Sequence, residues 1–218
     1  MISILTQNQI NIIKKIGKNK FISDNFYLTG GTALAEFYLQ HRYSEDLDFF
    51  SETEIDVLPL NVFMSGLKKE LNISKIDYQQ NFNRNLFFLH FKDEILKTEF
   101  TFFPFQRIES GPSHKGITID SLFDIAVNKL FTIYQRTKAR DYVDLYFICA
   151  EKGFTIVDLT KRARIKFDYH IDPLQLGTQF LKAQEAKDYP RMIKELDNQT
   201  WQSFFIEEAK KLSSEIIK

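Results

Sequence analysis

A chain of 218 residues, 44% apolar and 15% aromatic with 22 phenylalanines, can bury a substantial core, which excludes a disordered polypeptide. Its 29 basic and 29 acidic residues cancel, which excludes a uniformly basic nucleic-acid binder while leaving room for a local basic groove. Cys149 is the one cysteine, so an internal disulfide and a cysteine-based zinc site are excluded. A short polar N-terminus and the lack of a bilayer-length apolar run point to a cytoplasmic protein with no membrane partner.

Ile10, Ile13 and Ile16 recur near helical spacing and predict a first helix over residues 7–16. Phe26 to Thr29 reads as a short strand stopped by Gly30 and Gly31. Thr32 to Leu39 follows as a helix, and Asp46 to Phe50 as a second strand. Pro59 stands at the start of a helix whose apolar stripe is Leu60, Phe63, Met64, Leu67 and Leu71. Between residues 73 and 103, the runs LFFLHF and ILKTEFTFF flank Lys92, Asp93 and Glu94 and predict a hairpin. Pro104 and the GPSHKG segment from Gly111 mark a boundary. Helices are then expected over 119–135, 140–150, 156–167, 173–185 and 200–217. The expected architecture is an α/β domain over 1–115, a small mixed sheet with flanking helices, followed by an α-helical domain over 116–218. A ligand cleft is expected between them, with the helical domain contributing to it.

The segment from Tyr27 to Phe50, YLTGGTALAEFYLQHRYSEDLDFF, concentrates the chemistry. Gly30 and Gly31 lie directly between a strand and a helix, where the Gly31 and Thr32 amides and the Thr32 hydroxyl face an anion such as phosphate. Such glycine pairs also serve ordinary turns. Asp46 and Asp48 alternate on one face of a strand, and a divalent cation would relieve their repulsion. The alternative is a pair of solvated acids on an edge strand. Arg42 is a candidate partner for those acids or a clamp for phosphate oxygens. Ser44 either binds phosphate, accepts a modification or closes the turn. Glu99 shares a face with Lys97 and Thr101, and is either a third metal-holding acid or a solvent-facing one.

A second constellation runs from Asp124 to Ile148. Leu122, Ile125, Ala126, Leu130 and Ile133 form an apolar stripe, with Lys129 at its edge either snorkelling or reaching triphosphate oxygens. Asp141 and Asp144 share a helical face, and Arg136 and Arg140, four apart and alike in charge, call for an anionic partner. Farther on, Lys161, Arg162, Arg164 and Lys166 form a basic run, either a solvated helix face or a contact for tRNA.

GGTAL followed by RYSEDLDFF, and DIAVNKL followed by RTKARDYVDLY, resemble the nucleotidyltransferase AbiEii/AbiGii toxin family of the DNA polymerase β-like superfamily. The resemblance spans about residues 26–150, is loose around Glu99 and fades in the C-terminal tail. It implies a nucleotidyltransferase-like core that uses a nucleoside triphosphate with Mg²⁺, or Mn²⁺, and transfers a nucleotide with release of pyrophosphate. Some members are toxins of toxin–antitoxin systems, including ones similar to tRNA nucleotidyltransferases that block the acceptor end. By that resemblance Gly30, Gly31, Thr32 and Arg42 hold phosphates with Ser44 beside them, Asp46 and Asp48 bind metal with Glu99 completing the shell, and Lys129 and Asp141 form an essential pair supported by Asp144. It further implies tRNA and a cognate antitoxin as partners. The alternatives are transfer to a protein or small-molecule hydroxyl, or a non-catalytic nucleotide-binding module.

Overall fold

The structure is a computed structural model that describes residues 3–216. It divides into two compact units, one holding the chain up to Tyr38 together with Ser44–Ser121, the other Leu39–Tyr43 together with everything from Leu122 onward. The short segment between two elements of the first unit is thus built into the second.

The first unit opens with α1 (Gln7–Ile16), started by a capping box in which Thr6 and Gln9 each bond the other's backbone amide. Its Ile12, Ile13 and Ile16 are fully buried. A short helix, α2 (Lys20–Asn25), leads into β1 (Tyr27–Thr29). The chain continues through α3 (Gly30–Leu34), which relaxes into a π-helical turn at Ala35–Leu39, then β2 (Leu47–Ser51) and α4 (Val57–Glu70). Next come β3 (Lys75–Asn81), β4 (Arg84–His90), β5 (Ile95–Phe102), β6 (Ser113–His114) and β7 (Ile117–Ile119).

The strands form one mixed sheet in the order β3-β4-β5-β2-β1-β7-β6. At its centre β2 runs parallel to β5 and antiparallel to β1, while β1 runs parallel to β7. Aromatic packing fixes this centre: Phe49 of β2 stacks on Phe100 of β5 at 5.0 Å, and Phe26 meets Phe100 edge-on at 5.1 Å.

The predicted hairpin around Lys92–Glu94 is β4–β5. Ahead of it lies β3, an outer strand with a largely exposed, polar sequence that carries no apolar alternation to announce it. The GPSHKG boundary is itself a small hairpin, β6–β7, turned through Lys115 and Gly116 at φ +50° and +87°. Consequently Ile119 ends a strand, and the following helix begins at Leu122.

The second unit is helical: α5 (Leu122–Gln135), α6 (Ala139–Lys152), α7 (Ile156–Phe167), α8 (Pro173–Leu181) and α9 (Asn198–Ile216). The predicted end of the last helix, Ile217, lies outside the described residues. Left-handed Gly153 stops α6. Trp201 stacks on Tyr142, and Phe131 stacks on Phe167 at 4.0 Å, joining α9 to α6 and α5 to α7. Among the described residues, no helix is long and apolar enough to cross a membrane.

Candidate active site

The turn after β1 is shaped by an acid. Gly30 adopts φ +73°, and a Cβ built on it would fall 2.6 Å from Asp48 Oδ2. Only a residue without a side chain lets the backbone turn this closely over that carboxylate. Thr29, the N-cap of α3, makes no side-chain bond to the helix amides and instead donates to Asp120 Oδ2 at 2.6 Å. Thr29 therefore does not cap the first-turn amides of α3, and the amino-terminal end of a helix favours an anion. Thr32 is fully buried; its hydroxyl bonds Ser44 Oγ at 2.8 Å and also the Asp46 carbonyl. Expected to face an anion, it ties the glycine turn to the approach of β2. Ser44 is part of the same tie.

Pairing brings the acids together. Asp48 lies opposite Glu99 across the parallel β2–β5 ladder and opposite Thr29 across β1–β2. Asp46, two residues earlier, receives Lys97 Nζ on Oδ2 at 2.8 Å, and the same ammonium lies 3.8 Å from Glu99 Oε2. Glu99 is 5% exposed, neither solvated nor unaccompanied. Arg84 Nε and Nη2 donate to its two oxygens at 2.6 Å each, and Thr101 donates to Oε1 at 2.8 Å. Burial pushes the Glu99 pKa up, but Arg84, Thr101 and Lys97 outweigh that and hold it below the ordinary range. Arg84 escapes a reading of the sequence one strand at a time. Counting back across the Lys92–Glu94 turn puts it opposite Thr101, diagonal to Glu99 on one face.

Among the described residues, no three His, Cys, Asp or Glu side chains converge on one ion position. The donor chemistry nevertheless fits Mg²⁺ or Mn²⁺, hard cations that take oxygen ligands. Mg²⁺ commonly needs just one or two carboxylates, the rest of its shell coming from water and substrate phosphates. Asp46 and Asp48 would be the two carboxylates in question, and the Lys97 ammonium against Asp46 shows that this position accepts positive charge. Glu99 is already engaged by Arg84 on both oxygens and by Thr101 on Oε1.

The second unit holds a separate buried charge network. Arg42 donates through Nε and Nη2 to the two oxygens of Asp144, at 2.6 and 2.8 Å, and through Nη1 to the Tyr43 carbonyl. Arg42 was expected to pair with Asp46 or to clamp phosphate; its guanidinium is instead directed at Asp144. Lys129 Nζ bridges Asp141 at 2.7 Å and Asp144 at 2.6 Å, and Arg136 reaches the other Asp141 oxygen at 3.1 Å. Burial opposes charge on all three of these groups, yet their partners prevail. The Lys129 pKa is raised by Asp141 and Asp144. Asp141 is lowered by Lys129 and Arg136, and Asp144 lies well below the carboxylate range under Arg42 and Lys129. His41, fully buried, is pulled down chiefly by desolvation despite Asp144 at 2.8 Å. Its Nε2–H therefore donates to that carboxylate, leaving Nδ1 without a hydrogen-bond partner.

The basic run on α7 is divided. Lys166 reaches Asp124 at 2.6 Å, whereas Lys161, Arg162 and Arg164 are exposed, Arg164 also donating to the Ile171 carbonyl.

A mixed sheet with strand-borne acids beside a glycine turn, joined to a helical unit, is the framework of a nucleotidyltransferase. The family model for nucleotidyl transferase AbiEii toxin, type IV toxin–antitoxin system, matches residues 18–207. The chain belongs to that family and is a nucleotidyltransferase. It is 30% identical to an uncharacterised Aquifex aeolicus protein over 149 residues, 67% of this chain and 68% of the relative. Its fold is similar to that of JHP933 from Helicobacter pylori (TM-score 0.59, 21% identity, 97% and 94% of the two chains covered). It is also similar to the nucleotidyltransferase toxin MenT4 from Mycobacterium tuberculosis (TM-score 0.53, 13% identity, 94% and 82% covered).

Proposed function

We propose that this chain transfers a nucleotide from a nucleoside triphosphate to a hydroxyl at the 3′ end of tRNA, and does so as the toxin of a toxin–antitoxin pair with a cognate antitoxin. The observation that carries the reading is the position of Asp48, opposite Glu99 and directly behind the Gly30 turn. That relation sets oxygen donors for a cation beside the turn whose amides are proposed to take a phosphate.

In the proposed reaction the acceptor oxygen attacks the α-phosphorus, the bond from that phosphorus to the bridging oxygen breaks, and pyrophosphate leaves with its electron pair. The acceptor proton is released to solvent. Asp46 and Asp48 would hold Mg²⁺, which when bound neutralises phosphate charge and acidifies the attacking hydroxyl. The amides of Gly31 and Thr32 bind phosphate oxygens, and Thr32 with Ser44 fixes the turn that presents them. Glu99, oriented by Arg84, adds negative potential that favours the cation. Lys129, kept protonated by Asp141 and Asp144, is proposed as a cation for phosphate charge, and Arg42 positions Asp144. Lys161 and Arg162 are the proposed RNA contacts.

The test is incubation with total RNA and each labelled triphosphate in Mg²⁺. Label in tRNA, lost in Asp46→Asn and Asp48→Asn proteins, is the expected result. Label on polypeptide or on a small molecule would replace the RNA acceptor. No label anywhere, with no triphosphate bound, would leave transfer by this chain without support.

A further inference from the structure

Lys97 occupies an unusual place for a lysine. It sits two residues before Glu99 on β5 with its ammonium between that acid and Asp46, the residue just before β2, at 2.8 Å from Asp46 and 3.8 Å from Glu99. Its side chain is 23% exposed, so it is neither locked in the core nor fully solvated. Glu99 already has a bidentate partner in Arg84, so the carboxylate for which Lys97 matters most is Asp46. A single positive charge thus rests on an acid proposed to hold a divalent cation.

We propose that Lys97 is a built-in placeholder for that cation. It neutralises Asp46 while the metal is away, yields the carboxylate when the metal arrives, and then turns its ammonium to the phosphate oxygens that arrive with the nucleotide. This rests on the metal role of Asp46 and Asp48 proposed above. Three features suit lysine to the task. Its flexible stem permits the swing, its compact ammonium pairs as well with phosphate as with carboxylate, and its charge is half that of the ion that displaces it. Arg84, planar and forked onto both oxygens of Glu99, is suited to the opposite role of staying put.

The placeholder makes two predictions of opposite sign for one substitution. In Lys97→Met the competing charge is gone while the length of the side chain is kept. Mn²⁺ alone, titrated against the nucleotide-free protein and followed by the electron paramagnetic resonance signal of the free ion, should therefore bind ~10-fold more tightly than to wild type. At saturating Mn²⁺, an α,β-methylene nucleoside triphosphate that cannot be cleaved should bind about fivefold more weakly, because the phosphate contact is lost. Lys97→Arg should stay near wild type in the first measurement. Lys97→Gln gives a second uncharged variant should the methionine protein fold poorly, judged by circular dichroism.

A lysine that merely supports the strand would weaken metal binding when removed, so unchanged or weaker Mn²⁺ affinity in both uncharged variants overturns the placeholder. Asp46→Asn and Asp48→Asn proteins separate the two levels of the argument. If wild type binds no Mn²⁺, or binds it equally well without those acids, the metal role itself fails and the placeholder falls with it.

Discussion

Glu99 faces Asp48 across the β2–β5 ladder, and the two acids are accommodated by different means. Asp48 packs against the Cα side of Gly30, while Glu99 meets the guanidinium fork of Arg84. The negative charge beside the turn is therefore maintained by a residue on β4 that touches neither Asp46 nor the turn.

Arg84→Met should destabilise the protein at neutral pH by about 1–2 kcal/mol, less than for a fully buried pair because Arg84 is half-exposed. The Glu99 pKa is depressed in the folded state, so its contribution is complete above its ordinary value of 4.5 and is lost as pH falls through the lower folded value. Urea midpoints of the two proteins should thus differ at pH 7 and draw together as the pH is taken down below 4.5. A gap that persists undiminished in acid would show that Arg84 acts by packing alone.

Lys129→Ala should lose stability as well as transfer. The ammonium neutralises two aspartates that are 1% and 0% exposed, and removing it leaves Asp141 with Arg136 and Asp144 with Arg42 and His41. Breaking a buried pair costs about 3–5 kcal/mol, with Arg136, Arg42 and the His41 hydrogen bond favouring the lower end. Chemical denaturation would detect it. An unaltered midpoint with abolished transfer would confine Lys129 to chemistry.

Gly30→Ala combines a left-handed backbone with a methyl aimed at Asp48 Oδ2. An expected loss of about 1–3 kcal/mol should be accompanied by weaker metal binding, because the carboxylate must move to make room. Pairing Gly30→Ala with Asp48→Ala tests the cause. The double variant should recover part of the stability, and strict additivity of the two effects would deny the contact.

The exposed and the engaged members of the α7 basic run should separate. Lys161→Glu with Arg162→Glu should weaken tRNA binding and flatten its dependence on salt, with little change in stability. Lys166→Met should instead destabilise, since Asp124 is fully buried and loses a cation. Equal losses of tRNA affinity from both changes would assign the whole run to RNA.

Legibility in the sequence followed the range of the interaction. Helices α1 and α7 span the residues expected of them, and the structure shows that each is started by a threonine directly ahead of it, Thr6 and Thr155, so what fixes them is local. The alternation that set Lys97, Glu99 and Thr101 on one face was equally local. The charge partners were not. Arg84 reaches Glu99 diagonally across a hairpin, and Arg42, close to Ser44 in sequence, is claimed by Asp144 about a hundred residues on (|i−j| = 102). Strand β3 was missed because an outer strand with both faces largely wet needs no apolar period.

The assignment of residues 39–43 to the helical unit bears on how this chain can be divided. Cutting after Ser121 would look reasonable from the order of elements, yet it would strand Arg42 and His41 on a fragment that lacks Asp144. Arg42 and His41 would lose the helices that bury them, and the helical fragment would keep a buried Asp144 without the two side chains that accompany its charge. Truncation therefore yields two damaged pieces rather than two modules, and a minimal version of this enzyme must be sought by trimming its ends.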